Sequence, residues 1–253
     1  MTGVQGGNPD LRQEVADTLT WGIILTPTFV ENLTISVDWY DIELKNAVNL
    51  TSAQNFANLC VDLAASPNEF CDVVPRAGDG TITSFTQEPK NVETYKTRGI
   101  DFSIAYQLAT DHWGTFDARL FGNHLQDLQI TNLPGAASIS MAGQKGMPEW
   151  QANLDVAWQK DNASLRWQLH YFSETDRFDK ATVRNNPNIV AAEYLEFDRA
   201  LTHDIYGSYS FNEAVTVYVG LNNVTDERPD IGETFYPVSA IGRYLFAGFN
   251  VAL

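Results

Sequence analysis

The sequence predicts an all-β protein, an antiparallel sheet of about nine long strands in one unit. Three observations carry this. Apolar and polar residues alternate with period two in at least nine segments, the polar positions stay polar on every strand, and short links alternate with long ones along the chain. A period of two gives each strand two faces, here one apolar and one wet.

The first apolar stripe is Leu19, Trp21, Ile23 and Leu25, and the second Leu33, Ile35, Val37 and Trp39, with TPTFVEN between them. The third is Ile100, Phe102, Ile104 and Tyr106, and the fourth Phe116, Ala118 and Leu120. Trp150, Ala152, Leu154, Val156 and Trp158 form the fifth, followed by Leu165, Trp167, Leu169 and Tyr171. A less regular seventh holds Ile205, Gly207 and Tyr209; the last two are Val215, Val217, Val219, Leu221 and Leu245, Ala247, Phe249, Val251, Leu253. Between them stand Ser36 and Asp38, Asp101 and Ser103, Asp117 and Arg119, Asn153 and Asp155, Arg166 and Gln168, Asp204 and Ser208.

A soluble sandwich needs one solvated face per sheet, whereas a barrel around water needs a polar inner face on every strand and apolar residues outside. The second pattern fits. Aromatic residues at stripe ends, Trp39, Tyr106, Trp150, Trp158, Tyr171 and Tyr209, suit a lipid-facing interfacial girdle. The short links TPTFVEN, LATDHWG, KDNA and FNEA take turns with long ones near 46–92, 130–148, 173–194 and 225–241, as periplasmic turns alternate with extracellular loops in outer-membrane barrels. Within the loops, TSAQNFANLC has the composition of a short helix and GDGTITSF that of a small hairpin or strand extension.

Composition narrows the function classes. With 16 Lys+Arg against 32 Asp+Glu the formal charge is −16, which argues against nucleic acid as partner because phosphate binding needs clustered cations. The mean hydropathy of −0.22 and the lack of a long apolar run exclude membrane-spanning helices, an exclusion that does not reach β-barrels. The first residues, MTGVQGGNPDLRQEVAD, lack the cationic start and apolar stretch of a secretory signal. Cys60 and Cys71 lie in CVDLAASPNEFC without zinc-ligand spacing. A disulfide closing a small loop is the leading reading, two unrelated free thiols the alternative; a bridge implies an oxidising compartment.

No catalytic constellation, metal-ligand spacing or cofactor motif stands out, so an enzyme is not expected. The five lumen-side aspartates read as a hydrated wall rather than as an acid/base pair. Candidates for a ligand path are Tyr40, Arg119, Arg166 and His170 on the polar face and the loop aromatics Phe56, Phe70, Phe178, Phe235 and Tyr236. Arginine pairs with anionic chelators and rings stack on sugars or catecholates, yet the same arginines could neutralise neighbouring aspartates.

The stretches GGNPDLRQEVADTLTWGIILTP, LTISVDWYDIELKNAV, NVETYKTRGIDFSIAYQL, VYVGLNNVTDERP and IGRYLFAGFNVAL, in this order, make the chain resemble the C-terminal β-barrel portion of a TonB-dependent outer-membrane receptor. In that family Asn-Pro-x-Leu-x-x-Glu opens a strand, Lys-Thr-x-Gly-Ile-Asp begins another, and Gly-x-Asn-Asn leads into the last extracellular loop. The resemblance covers essentially the whole chain. It implies a segment, 1–253, of a barrel whose plug, TonB box and first dozen or so strands lie elsewhere, placed in the outer membrane of a Gram-negative bacterium. It implies uptake of a scarce nutrient, most often a ferric siderophore, or an oligosaccharide or vitamin-type ligand. The implied partners are outer-membrane lipid, the missing plug and strands, the TonB complex through the plug, and the small-molecule ligand. The competing readings are a secreted carbohydrate-binding β-sandwich protein or enzyme, and a small complete outer-membrane barrel for adhesion. Nine strands place the first and last in the same direction, so the expectation is an open, curved sheet with two unpaired edges.

Overall fold

A computed structural model describes residues 2–50, 52–62, 68, 70–133 and 135–252. Nine long strands form one sheet: β1 (Val15–Leu25), β2 (Leu33–Asn49), β3 (Lys90–Thr110), β4 (Gly114–Thr131), β5 (Trp150–Lys160), β6 (Ala163–Phe172), β7 (Ala200–Ser210), β8 (Val215–Asn222) and β9 (Tyr244–Val251). The order runs from β9 through each predecessor to β1, and among the described residues the two end strands are not paired with each other. The sheet is therefore open. Each strand holds the stripe expected of it; Leu253, last member of the ninth stripe, lies outside the described residues.

Registers align the stripes. Phe116 stands opposite Trp158, Leu154 opposite both Leu120 and Leu169, Trp167 opposite both Val156 and Ile205, and Val217 opposite both Tyr209 and Phe249. A continuous apolar face results. A sandwich would bury it under a second layer, but Ile35, Leu154 and Trp167 are only half-buried and Val217 is exposed. At the first strand Trp21 is 63% exposed and at the last Leu245 is 67% exposed. The buried apolar residues, Ala47, Val92, Phe56 and Phe197 among them, belong to loops or loop-side strand ends.

By contact the chain divides into two units, 1–19 with 41–97 and 128–140, and 20–40 with 98–127 and 141–253. In the first, helix α1 (Ala53–Asp62) brings Phe56, Leu59 and Cys60 onto Phe70, Val73, Val74 and Val92. The rings of Phe56 and Phe70 stack with centroids 6.0 Å apart. Cys60 and Cys71 are joined in a disulfide, although 63–67 and 69 of the loop between them lie outside the described residues. Arg76 bridges to Ile82 in a small hairpin, and Ser84–Gln87 pairs in parallel with Thr2–Gln5, a partner local sequence does not announce. The Asn-Pro-x-Leu-x-x-Glu stretch works as a fastener: the Asn8 side chain donates to Pro89 O (2.9 Å) and Glu14 accepts from Val48 N (2.8 Å).

Three expectations need correction. The connection expected near 46–92 is 50–89, because β2 and β3 continue past their apolar stripes. Trp39 does not end its strand. Ten more residues follow, and the same face then carries Asp41, Glu43 and Lys45, so the stripe ends there while backbone pairing goes on. Lys-Thr-x-Gly-Ile-Asp likewise lies inside β3 and does not start it. The remaining links match the expected alternation: 26–32, 111–113, 161–162 and 211–214 are short, whereas 132–149, 173–199 and 223–243 are long.

In the second unit, glycines on the sheet make room for rings. The rings of Phe246 and Tyr206 occupy the space a Cβ at Gly220 would need, and the Tyr40 phenol does the same at Gly99. Gly220→Val must displace two rings; a loss of about 1–3 kcal/mol is expected, read as a lower denaturant midpoint of the refolded chain, with Gly207→Ala, which meets only ordinary contacts, as the mild control.

Candidate functional site

Two features converge on the loop side of the second unit, the polar face of the sheet and a clasp of three loops above it. Period two sets the polar face. His170 stands opposite both Asn153 and Thr202, Gln168 opposite Asp155 and Asp204, and Arg166 opposite Ala157 and Tyr206. His170 Nδ1 is 2.5 Å from Asn153 Oδ1 and its Nε2 is 3.6 Å from Asp204 Oδ2. Asp204 also accepts from the Tyr206 hydroxyl (3.2 Å) and from Asn223 N (2.7 Å). Arg166 pairs with Asp155 at 3.2 Å, and Gln168 donates to the same carboxylate at 2.9 Å. Toward β2, Asn123 donates to Asp101 (2.6 Å) and to the Tyr40 hydroxyl (3.1 Å), and Ser36 meets Ser103 at 2.8 Å. Along these strands the face is a ladder of mutually hydrogen-bonded polar groups.

A groove of about 470 Å3 opens on this face, lined by Asp117, Arg166 and Gln168 and by the rings of Tyr206, Tyr218 and Phe246. Phe246 lies within 6.0 Å of Tyr206 and 6.4 Å of Tyr218, centroid to centroid. One carboxylate, one guanidinium and aromatic faces are suited to binding by hydrogen bonds and stacking.

The clasp gathers around Phe197, which is 1% exposed. The Arg177 guanidinium lies 4.0 Å from its ring centroid and Lys145 Nζ lies 5.4 Å away, while Tyr236 packs edge-on at 4.9 Å. A cation over an aromatic face contributes about 0.5–2 kcal/mol. The same cations tie the loops together. Lys145 pairs with Glu233 at 2.5 Å, Arg177 Nε donates to Tyr194 O (3.0 Å), and Arg177 Nη2 stands 3.4 Å from Asp230 Oδ1, an ion pair without hydrogen-bond alignment. Thr175 and Tyr236 share a hydroxyl contact of 2.7 Å.

Two half-buried aspartates set loop ends. Asp179 caps helix α2 (Lys180–Asn185), its carboxyl held below the ordinary range by the hydroxyl and amide of Thr182. Asp226 accepts from Arg243 N (2.8 Å) and pairs with Arg228 (2.6 Å), and these two contacts, in that order, lower its carboxyl pKa.

The structure sorts the candidate residues. Tyr40, Arg119, Arg166 and His170 do share the polar face, although Arg166 is engaged by Asp155 and Tyr40 by Asn123. Phe56 and Phe70 are withdrawn from the ligand path: at 0% and 3% exposed they are the centre of the disulfide-bridged loop core and present no surface. Tyr236 belongs to the clasp, Phe178 is half-buried beside it, and Phe235 projects with 76% of its surface exposed. Trp39 meets Trp21 at 6.4 Å and Arg98 at 6.0 Å; Trp158 donates to Trp113 O (2.6 Å), and Tyr209 packs edge-on against Phe211 at 5.1 Å. Trp150 stacks on His124 at 4.0 Å. Tyr106 and Tyr171 keep their places near the ends of β3 and β6. Sequence reasoning missed Tyr206, Tyr218 and Phe246, whose polar-face parity was readable, and Phe197, Arg177 and Lys145, whose meeting is long-range.

The family model described as TonB dependent receptor-like, beta-barrel matches residues 1–224. The siderophore receptor PirA from Acinetobacter baumannii superposes with a TM-score of 0.60 at 15% identity, covering 98% of this chain and 33% of that one. A mutant of the ferric enterobactin receptor PfeA from Pseudomonas aeruginosa gives 0.59 at 14%, covering 97% and 32%. The FrpB iron transporter from Neisseria meningitidis gives 0.60 at 12%, covering 98% and 32%. The chain thus spans about a third of the length of these structures, and the likeness shows the fold. No curated protein matches by sequence.

Phe197→Ala removes the ring that both cations share; an opening of the 173–199 loop by about 3–5 kcal/mol is expected, seen as faster amide exchange at Asp176 and Arg177 with β5 and β6 unchanged. Asp226 has a lowered folded-state pKa, so its contribution is complete above the ordinary aspartate range and lost as pH falls through the lowered value. The Arg243 amide shift should therefore titrate with a midpoint below about 3.9, and that titration should vanish in Asp226→Asn.

Proposed function

Since the chain belongs to the TonB-dependent receptor-like β-barrel family, we propose that it forms barrel wall and extracellular loops of an outer-membrane transporter in a Gram-negative bacterium. The apolar face meets hydrocarbon and the polar ladder lines a water-filled lumen. One observation carries this reading: an apolar face, half-buried to exposed across the nine strands and register-matched from β4 to β9, that no second layer covers among the described residues.

Strand length agrees. A spanning strand needs about 9–11 residues, whereas β2, β3 and β4 have 17, 21 and 18. These three project past the hydrocarbon, and on the lipid-side face of β2 and β3 the stripe gives way to charge, Asp41, Glu43 and Lys45 beyond Trp39 and Arg98 and Lys96 before Ile100. Trp39 and Trp150 then belong to one interfacial girdle, and Tyr106, Trp158 and Tyr209 to the other, with Tyr171 closing the first on β6. The unpaired edges of β1 and β9 are where the missing strands join, because nine alternating strands leave two edges running in the same direction.

The cargo is a ferric siderophore. This rests on the superposing structures, which are a siderophore receptor, a ferric enterobactin receptor and an iron transporter. Tyr40, Arg119, Arg166, His170, Phe178, Phe235 and Tyr236 remain the ligand-path residues of this proposal, joined by Tyr206, Tyr218 and Phe246. The plug and the TonB complex are its partners in energised import.

Flotation of the full chain with outer-membrane lipid vesicles tests the lipid face. Leu154→Arg should weaken association by about 2–4 kcal/mol, whereas Ser208→Arg on the polar face should cost no more than about 1 kcal/mol. Equal losses at the two positions would reject the assignment of faces. For the cargo, deleting the reading frame should abolish ferric-siderophore uptake under iron limitation and leave oligosaccharide uptake intact.

A further inference from the structure

The last long connection closes over the loop-side ends of β6, β7 and β8 and leaves a cavity of about 590 Å3. Its floor is polar: His170, Thr202, Asp204 and Asn222. Its roof is apolar, with Pro237 and Val238 half-buried and Ile241 at the rim, 72% exposed. The roof is fixed at both ends. Tyr236 is anchored by Thr175 and by the ring of Phe197, and Arg243 by Asp226. At the floor, Asn223 bonds reciprocally with Glu227, its Nδ2 donating to Glu227 O and its Oδ1 accepting from Glu227 N, both at 2.8 Å, while Asn223 N donates to Asp204. A ligand entering here would find the walls already placed.

His170 apart, the formal charge of those walls is one-sided. Asp204 offers a carboxylate, and Asn222 Oδ1 is buried without a hydrogen-bond donor among the described residues. No lysine or arginine is among the residues lining the cavity. A buried acceptor requires a donor, and the partly buried Asp204 carboxylate, 16% exposed, repels a second anion.

We propose that this cavity is a subsite for a hydrogen-bond-donating, uncharged or cationic group on an aliphatic chain, such as a primary ammonium, and that it rejects carboxylates and other anions. The inference rests on the receptor reading above and deepens it by naming the chemical class of one part of the ligand. The ammonium or amide N–H groups reach Asp204 and Asn222 Oδ1, while the methylenes lie against Val238 and Ile241. Anionic portions of the same ligand are left to other surfaces, where Arg119 and Arg166 stand.

Hexylammonium and hexanoate match in length and differ in charge, so their binding to the full chain in detergent micelles, followed by saturation-transfer NMR, is the test. Hexylammonium should bind at least about tenfold tighter than hexanoate, and Asp204→Asn should erase that preference. Val238→Trp fills the cavity without touching either acceptor; it should abolish hexylammonium binding while the strand signal in circular dichroism is kept. Hexanoate binding as tightly as the amine, or hexylammonium binding unchanged in Val238→Trp, would overturn the proposal. Failure of the receptor reading would appear separately, as a chain that does not float with outer-membrane lipid whatever the amine result.

Discussion

Everything in this protein follows from a sheet whose two faces are made for different solvents. A β-strand reverses its side chains at every residue, so satisfying two solvents requires strict alternation, and a slip of one residue would exchange the faces along the whole strand. The registers show the consequence. Leu154, Trp167, Ile205 and Leu221 run across one face, while Asp155, Gln168, Asp204 and Tyr206 share the other. Small residues appear where rings of the polar side need space, as at Gly220 beneath Phe246 and Tyr206.

A sheet of this kind has no core between its faces, and that shifts burial to the loops. The described structure has two such centres. One is built by α1, the Cys60–Cys71 bridge and Val92; the other is Phe197 under its two cations. Connections as long as 50–89 and 173–199 would otherwise pay their full conformational entropy against exposed backbone. Each centre uses what its loop supplies, a disulfide and packed rings in one, cation–π contacts and ion pairs in the other.

Acidity acquires a meaning on this sheet. Part of the carboxylate excess lies along the polar face, where Asp101, Asp155 and Asp204 each hold neighbours in place by accepting hydrogen bonds. Such a wall stays hydrated and orders its own side chains. Its two arginines, Arg119 and Arg166, are outnumbered, so each is a local cation in a negative field.

The amino-acid sequence alone determined the strand count, the two faces and the alternation of short and long links, because each is a local pattern of period two or of composition. It also placed Tyr40, Arg119, Arg166 and His170 on one face, since parity along a strand needs no knowledge of its partners. Where β2 and β3 end was not legible: the apolar stripe stops at Trp39 and starts at Ile100, but backbone pairing is indifferent to the charge on Glu43 or Lys96 and continues. Phe56 and Phe235 look alike in sequence, and only packing made one a buried centre and the other a projecting ring. The meeting of Lys145, Arg177, Phe197 and Tyr236 depends on three loops closing at once, a long-range event that no short window of residues encodes. Periodicity decided which way side chains face; tertiary contact decided which of them remain free to meet anything else.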